Sequence, residues 1–144
     1  MHETLKLALL VAGFLHLIPL TAGLSVPQVL SWRQELERLN PLTRQLIWVH
    51  GAFIVLTVVG FGAISLIAAE SMLQGTILGV AVAGFMGLFW GLRLCLQLFF
   101  FNARPWLTTL FRKLGYRTLT CLFAYFVVVY FLAAAFNVKL IWQL

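Results

Sequence analysis

The stretch that decides the fold is residues 84–104, GFMGLFWGLRLCLQLFFFNAR. It is an apolar run long enough to cross a bilayer, because a membrane helix needs about 20 apolar residues. Arg93 interrupts this run. An ionisable side chain at membrane depth is costly, usually faces the interior of a helix bundle or water, and marks a candidate functional site. The other polar groups that reach the depth of Arg93 are therefore the ones most relevant to function.

Helical spacing divides this stretch into two stripes. The first stripe consists of Met86, Trp90, Arg93 and Gln97. The second consists of Gly84, Gly87 and Gly91. Small residues let membrane helices approach closely, so the glycine stripe predicts contact with another helix, either within the bundle or in a neighbouring chain. The alternative is that these glycines reflect ordinary membrane-helix composition, in which Gly is frequent.

The composition of the whole chain is that of an integral membrane protein. Of its 144 residues, 62% are hydrophobic and 10% are charged, and the mean hydropathy is +1.01. Soluble domains average roughly 45–50% apolar and 25% charged residues. The sequence predicts an all-α, single transmembrane domain, an up-down bundle of four helices at about residues 5–24, 42–69, 76–101 and 118–136. A soluble catalytic domain does not fit beside them.

Two polar connections, residues 25–45 and 102–117, set the predicted orientation. They hold seven of the ten basic residues: Arg33, Arg38, Arg44, Arg104, Arg112, Lys113 and Arg117. Basic connections stay in the cytoplasm, so both termini are expected on the non-cytoplasmic side, with a bacterial plasma membrane as the expected location. Asn40-Pro41 is a helix start, with Asn as the N-cap and Pro in the first turn.

The apolar residues of both connections have helical spacing, which predicts short amphipathic helices lying in the membrane interface. For the first connection, a solvated loop is the alternative. The second predicted helix ends at Gly115, a residue type common at helix ends. The two cysteines, Cys95 and Cys121, lie in apolar runs without a metal-ligand pattern, and we expect them to be small buried hydrophobic residues.

Three ionisable residues on three spans fall at similar depths when counted from the basic side. At about 1.5 Å per residue, His16 lies roughly 12 Å from the end of its span at Leu24. His50 lies roughly 13 Å after Pro41, and Arg93 roughly 12 Å before Phe101. Gln97 lies one turn closer to the basic surface. This coincidence predicts that His16, His50 and Arg93 converge within the bundle.

A convergent pair of histidines suits haem b, because two imidazoles on facing helices can ligate the iron from opposite sides. In this hypothesis the cofactor-binding residues are His16, His50, Arg93 and Gln97, with His16 and His50 as the metal ligands and electron transfer as the function. The same set also suits another tetrapyrrole, a quinone, an anionic lipid headgroup or a proton path. In the structural alternative, the histidines hydrogen-bond within the bundle and Arg93 extends toward the basic surface.

Other chemistry has little support in the sequence. There is no phosphate-binding glycine loop and no catalytic motif, and the four acidic residues lie near the predicted surfaces, so the protein is not expected to be an enzyme by itself. A non-catalytic accessory or scaffold subunit is the first alternative function. A small anion or lipid transporter using Arg93 is the second. The expected partners are the lipid bilayer and subunits of a membrane complex or further copies of the chain, and no nucleic acid.

Overall fold

The computed structural model describes residues 1–29, 31–101 and 107–143, and the side chains of residues 26–29, 32 and 33 lie outside this description. Every regular element within these ranges is helical. The α-helices are α1 His2–Leu15, α2 Leu17–Val29, α3 Trp32–Glu37, α4 Pro41–Ile67, α5 Ile77–Cys95 and α6 Leu110–Ile141. A 3₁₀ turn, Ser71–Leu73, joins α4 to α5, and a π-helical segment, Leu96–Phe100, extends α5.

Four of the helical segments are long and apolar enough to cross a membrane, as predicted. They are His2–Ser25, Pro41–Ile67, Ile77–Phe100 and Leu110–Ile141. The all-helical architecture with four candidate spans is therefore confirmed. The predicted up-down arrangement in the membrane and the position of short helices in the interface stay predictions.

The first span is broken at His16, between α1 and α2. Pro19 explains the position of the break, because proline has no N–H to donate and its ring crowds the carbonyl four residues earlier, that of Leu15. The chain nevertheless continues as helix to Val29, five residues beyond the predicted end at Leu24. The apolar span itself ends at Ser25, one residue beyond the predicted end.

The second connection also differs from the prediction, because its helix does not stop at Gly115. Thr109 caps α6 by accepting the backbone N–H of Arg112, and α6 then runs for 32 residues without interruption. Gly115 lies within this helix, and no described residue elsewhere in the chain has an atom within 4 Å of where its Cβ would be. Residues 102–106 of the same connection lie outside the described residues.

The helices pack mainly as two pairs. α5 packs closely along α6, and α4 packs mainly against α1 and α2. The contact between α4 and the first span is made at glycines: a Cβ on Gly62 would lie 3.2 Å from the Cβ of His16 and 3.3 Å from the carbonyl oxygen of Gly13. At the outer end of this pair, Lys6 Nζ lies 2.7 Å from Glu70 Oε2, and this hydrogen bond holds the pKa of Glu70 below its usual value.

The predicted glycine stripe is divided between two environments. A Cβ on Gly87 would lie 3.2 Å from the ring of Phe131 on α6, and one on Gly91 would lie 4.0 Å from Val127. Gly84 has no such neighbour within 4 Å. Within the chain, the stripe therefore approaches α6 at Gly87 and Gly91, and Gly84 lies apart from that contact.

This division predicts different effects of the same substitution at two glycines. Gly87→Leu is expected to lower the free energy of unfolding by about 1 kcal/mol, because the new side chain must displace the half-exposed ring of Phe131. Gly84→Leu is the matched control and should leave stability unchanged. The measurement is denaturant unfolding in mixed micelles. An equal loss in both variants would show that α5 and α6 pack in another register.

Candidate functional site

The centre of the bundle holds His16, whose side chain is 3% exposed. Its Nδ1 lies 2.7 Å from the carbonyl oxygen of Ala12, one turn earlier. Since a carbonyl only accepts, Nδ1 carries the proton of this hydrogen bond and Nε2 is the acceptor of the neutral ring. The ring stacks on Phe126 at a centroid distance of 4.3 Å and meets Trp90 edge-on at 5.3 Å.

Two polar atoms in this aromatic cluster have no hydrogen-bond partner among the described residues. They are His16 Nε2 and Trp90 Nε1, both buried. The first is an acceptor and the second a donor, so the two groups are chemically complementary. Next to them, Ser65 Oγ lies 2.6 Å from the hydroxyl of Tyr130, which joins α4 to α6. His16 thus belongs to a polar and aromatic core built from all four spans.

His50 lies in a different environment, on the exposed surface of α4. Its Nδ1 lies 2.7 Å from the carbonyl oxygen of Leu46 in its own helix. It lines an open groove together with neighbouring residues of the same helix. The groove-lining residues are Thr43, Leu46, Ile47, His50, Gly51 and Ile54.

The structure does not bring His16 and His50 together. His16 packs against Gly62, and His50 precedes Gly62 by twelve residues, which is about 18 Å along the helix axis. Two histidines that ligate one haem iron need their nitrogens about 4 Å apart, from two metal–nitrogen bonds of about 2 Å. Gly51 faces open space and Gly13 packs against Leu66, so neither frames a flat cavity beside a histidine. These residues do not fit a bis-histidine haem.

Arg93 lies about one turn from Trp90 and is partly exposed at the edge of the bundle. Its guanidinium carbon lies 5.4 Å from the ring centroid of Phe123 and 5.6 Å from that of Phe101. Such cation–π contacts stabilise a cation where water is scarce. None of the ion pairs among the described residues includes Arg93. The structure thus places the guanidinium of Arg93 against the rings of Phe101 and Phe123.

Gln97 is buried and fastens α6 to the π-helical end of the third span. Its side-chain Nε2 donates to Thr120 Oγ1 at 2.6 Å, and its backbone carbonyl oxygen accepts from the Tyr116 hydroxyl at 2.7 Å. A π-helical turn shifts the register of a helix and often occurs at functional sites. The predicted site residue Gln97 therefore makes a helix-to-helix clamp with Tyr116 and Thr120.

The polar residue that sequence reasoning missed is Asn137, which is fully buried in α6. Its Oδ1 accepts from the N–H of Gly75 at 2.8 Å, and its Nδ2 donates to the carbonyl oxygens of Met72 and Ala133. Gly75 has a positive φ of 69°, a conformation that glycine adopts readily. The available signal was a lone amide side chain in an apolar segment, which must find partners when it is buried.

No family model, no curated protein and no solved structure matches this chain. Its class therefore rests on the fold. Four helices, each long and apolar enough to cross a membrane, fit a multi-pass helical membrane protein. Within the described residues, no group of three or more His, Cys, Asp or Glu side chains could hold a metal ion. Both cysteines, expected to be buried, are exposed on the outer surface of the helices.

Proposed function

We propose that this protein is a non-catalytic accessory subunit of a membrane complex, and that it binds a transmembrane helix of a partner protein. The contact is made by the groove on α4, which we call the α4 face: Thr43, Leu46, Ile47, His50, Gly51 and Ile54. The observation that carries the proposal is the position of His50, an exposed polar side chain about 13 Å along a spanning helix.

The first half of α4 is not buried within the chain. All of its buried residues lie from Val58 onward, so the preceding 17 residues, 41–57, cover about 25 Å of helix without one buried side chain. Of the four spans, this one has the smallest buried share, 17%. Lipid can cover an apolar face, so exposure alone does not call for a protein partner.

His50 is the feature that lipid tails do not satisfy. Because Nδ1 donates to the carbonyl oxygen of Leu46, Nε2 points its lone pair away from the helix as an acceptor. Hydrocarbon offers no hydrogen-bond donor, and an unsatisfied polar group there is costly. A partner helix with a hydrogen-bond donor at this depth removes the cost. Gly51 has no neighbour within 4 Å, so another backbone can approach beside His50.

Charge argues for a different protein as the occupant rather than a second copy. The chain has a formal net charge of +6, and exposed Arg38 and Arg44 lie at the same end of α4 as His50. A symmetric dimer across the α4 face would place two such basic ends side by side, and like charges across an interface are unfavourable. A partner with acidic residues at that end of its helix is complementary.

The membrane orientation follows from the same charges and is part of the proposal. Basic connections favour the cytoplasm, which puts both termini on the non-cytoplasmic side and the α4 face in the cytoplasmic half of the bilayer. The short helix α3 and the start of α6 then lie at the cytoplasmic interface of a bacterial plasma membrane. Transport of an anion or lipid past Arg93 stays a prediction from the sequence.

The test compares His50→Leu with Gln45→Leu, a matched control that also removes an exposed polar side chain of α4 but lies on another side of the helix. The expected result is that His50→Leu abolishes a high-mass complex on native gels of mild detergent extracts, whereas Gln45→Leu retains it. The purified His50→Leu protein should unfold like the wild type, because within the described residues the hydrogen bond of this side chain is to its own helix. A complex that survives His50→Leu, or one whose mass is a multiple of this chain alone, would refute the proposal.

A further inference from the structure

The start of α6 forms a groove of about 420 Å³, open to the surroundings. Its described lining consists of Leu107, Lys113, Tyr116 and Arg117. Lys113 and Arg117 are four residues apart, so they lie on the same side of the helix, one turn apart. The groove is therefore a concave surface with two cations and one phenol, on the basic side of the protein.

No carboxylate side chain neutralises these two cations. The four acidic residues, Glu3, Glu35, Glu37 and Glu70, all belong to the described residues. The described ion pairs join Glu3 and Glu70 to His2 and Lys6 at the opposite end of the bundle, and none includes Lys113 or Arg117. Like charges four residues apart on a helix repel each other, and a bound anion relieves this repulsion.

The wall of the groove is held by the Gln97 clamp. The hydroxyl of Tyr116 donates to the carbonyl oxygen of Gln97 at 2.7 Å, and Thr120 donates back to the carbonyl oxygen of Tyr116 at 2.8 Å. The side chain of Tyr116, which belongs to α6, is thereby fixed against the π-helical segment. A pre-organised groove binds a ligand more tightly than a mobile one, because less side-chain freedom is lost on binding.

The groove lies where the polar connection meets the apolar part of α6, and in a bilayer we expect this boundary at the level of the lipid headgroups. Next to it, Leu110, Phe111 and Leu114 are 83%, 85% and 63% exposed. These side chains offer an apolar surface beside a cationic groove. A phospholipid has the matching shape, an anionic phosphate with acyl chains attached, and basic pockets on the cytoplasmic side of membrane helices bind such headgroups.

We infer that the groove formed by Lys113, Tyr116 and Arg117 binds the phosphate group of an anionic phospholipid. Lys113 and Arg117 contact the phosphate, and Arg117 can do so with two parallel N–H donors. The acyl chains lie over Leu110, Phe111 and Leu114. This site is separate from the α4 face and requires no partner protein, so it stands independently of the proposed accessory function.

The experiment measures thermal unfolding of the purified chain in neutral detergent micelles, titrated with dioleoylphosphatidylglycerol. Parallel titrations use dioleoylphosphatidylcholine and inorganic phosphate. The double variant Lys113→Gln/Arg117→Gln should bind phosphatidylglycerol about 30-fold more weakly, because each basic residue near an anionic lipid contributes about fivefold. The matched controls are Arg112→Gln, which removes a charge from the same turn outside the groove, and Lys139→Gln, at the other end of α6.

The outcomes separate the alternatives. Stabilisation by phosphatidylglycerol but not by inorganic phosphate, lost only in the double variant, supports the headgroup site. Equal stabilisation by inorganic phosphate supports a phosphate site that takes the free ion. No stabilisation by either, or an equal loss in Arg112→Gln, would overturn the inference, since a general surface potential would then explain the effect. A double variant that unfolds like the wild type in phosphatidylcholine shows that the fold is intact.

Discussion

Replacing Asn137 by alanine is expected to lower the free energy of unfolding by about 3 kcal/mol. The substitution leaves the N–H of Gly75 and the carbonyl oxygen of Met72 without their partner in a partly buried turn, and each unsatisfied buried group costs about 1–3 kcal/mol. The connection between α4 and α5 then loses its attachment to α6. The measurement is equilibrium unfolding by denaturant in mixed micelles.

The control for this prediction is Val138→Ala, at the next position of the same helix, where the side chain is 39% exposed. It removes apolar atoms from the outer surface and leaves the hydrogen bonds of Asn137 intact. We expect a change within about 0.5 kcal/mol, as for most surface substitutions. Similar losses in the two variants would mean that the Asn137 network does not hold the turn.

The second large effect is expected at Gly62, where α4 crosses the first span. Gly62→Leu should destabilise the protein by about 3 kcal/mol, because a side chain there meets the backbone of Gly13 and the Cβ of His16. Gly60→Leu is the matched control: it brings the same gain in helix propensity, but a Cβ at Gly60 has no neighbour within 4 Å.

Thermal and denaturant unfolding of the two glycine variants should therefore move in different directions. Gly60→Leu is expected to be neutral or slightly stabilising, since leucine favours a helix more than glycine does. Gly62→Leu should also disturb the environment of Trp90 through the displaced His16, which a shift in tryptophan emission would report. If Gly62→Leu were as stable as Gly60→Leu, α1 and α4 would not pack at this crossing.

The number of spanning helices could be predicted because membrane helices are long apolar segments, and the length of such a segment can be counted in the sequence without knowledge of the tertiary structure. The cap at the start of α4 is a second confirmed prediction. Asn40 accepts the backbone N–H of Leu42 at 2.9 Å and Pro41 occupies the first turn. Both features depend on local chemistry alone, which explains why they were predictable.

The convergence of His16 and His50 could not be judged from the sequence, for two physical reasons. The depths were counted from Leu24 and from Pro41 as if these two ends were level, whereas His16 packs against Gly62, far along α4 from Pro41. The rotation of α4 was also hidden, because a spanning helix is apolar on all sides and no polar stripe separates the inner face from the lipid face. The same reason made Cys95 and Cys121 look buried.

The sequence identified some of the residues of the polar and aromatic core and missed others. Trp90 and Gln97 were placed on one stripe by spacing, and both are buried in the structure. Asn137 was missed because the predicted span ended at Phe136, which assigned it to the tail. The Ser65–Tyr130 hydrogen bond joins residues 65 positions apart, and a single sequence carries no signal for such a pairing.

We propose that His50 faces a helix of another protein within the membrane, and a photo-crosslinking amino acid at position 50 in living cells tests this contact. Position 45, on another side of α4, is the control. We expect a discrete crosslinked product between position 50 and a second membrane protein, absent from position 45. Crosslinks from position 50 to lipid alone, or only to further copies of this chain, would show that His50 does not bind a partner helix.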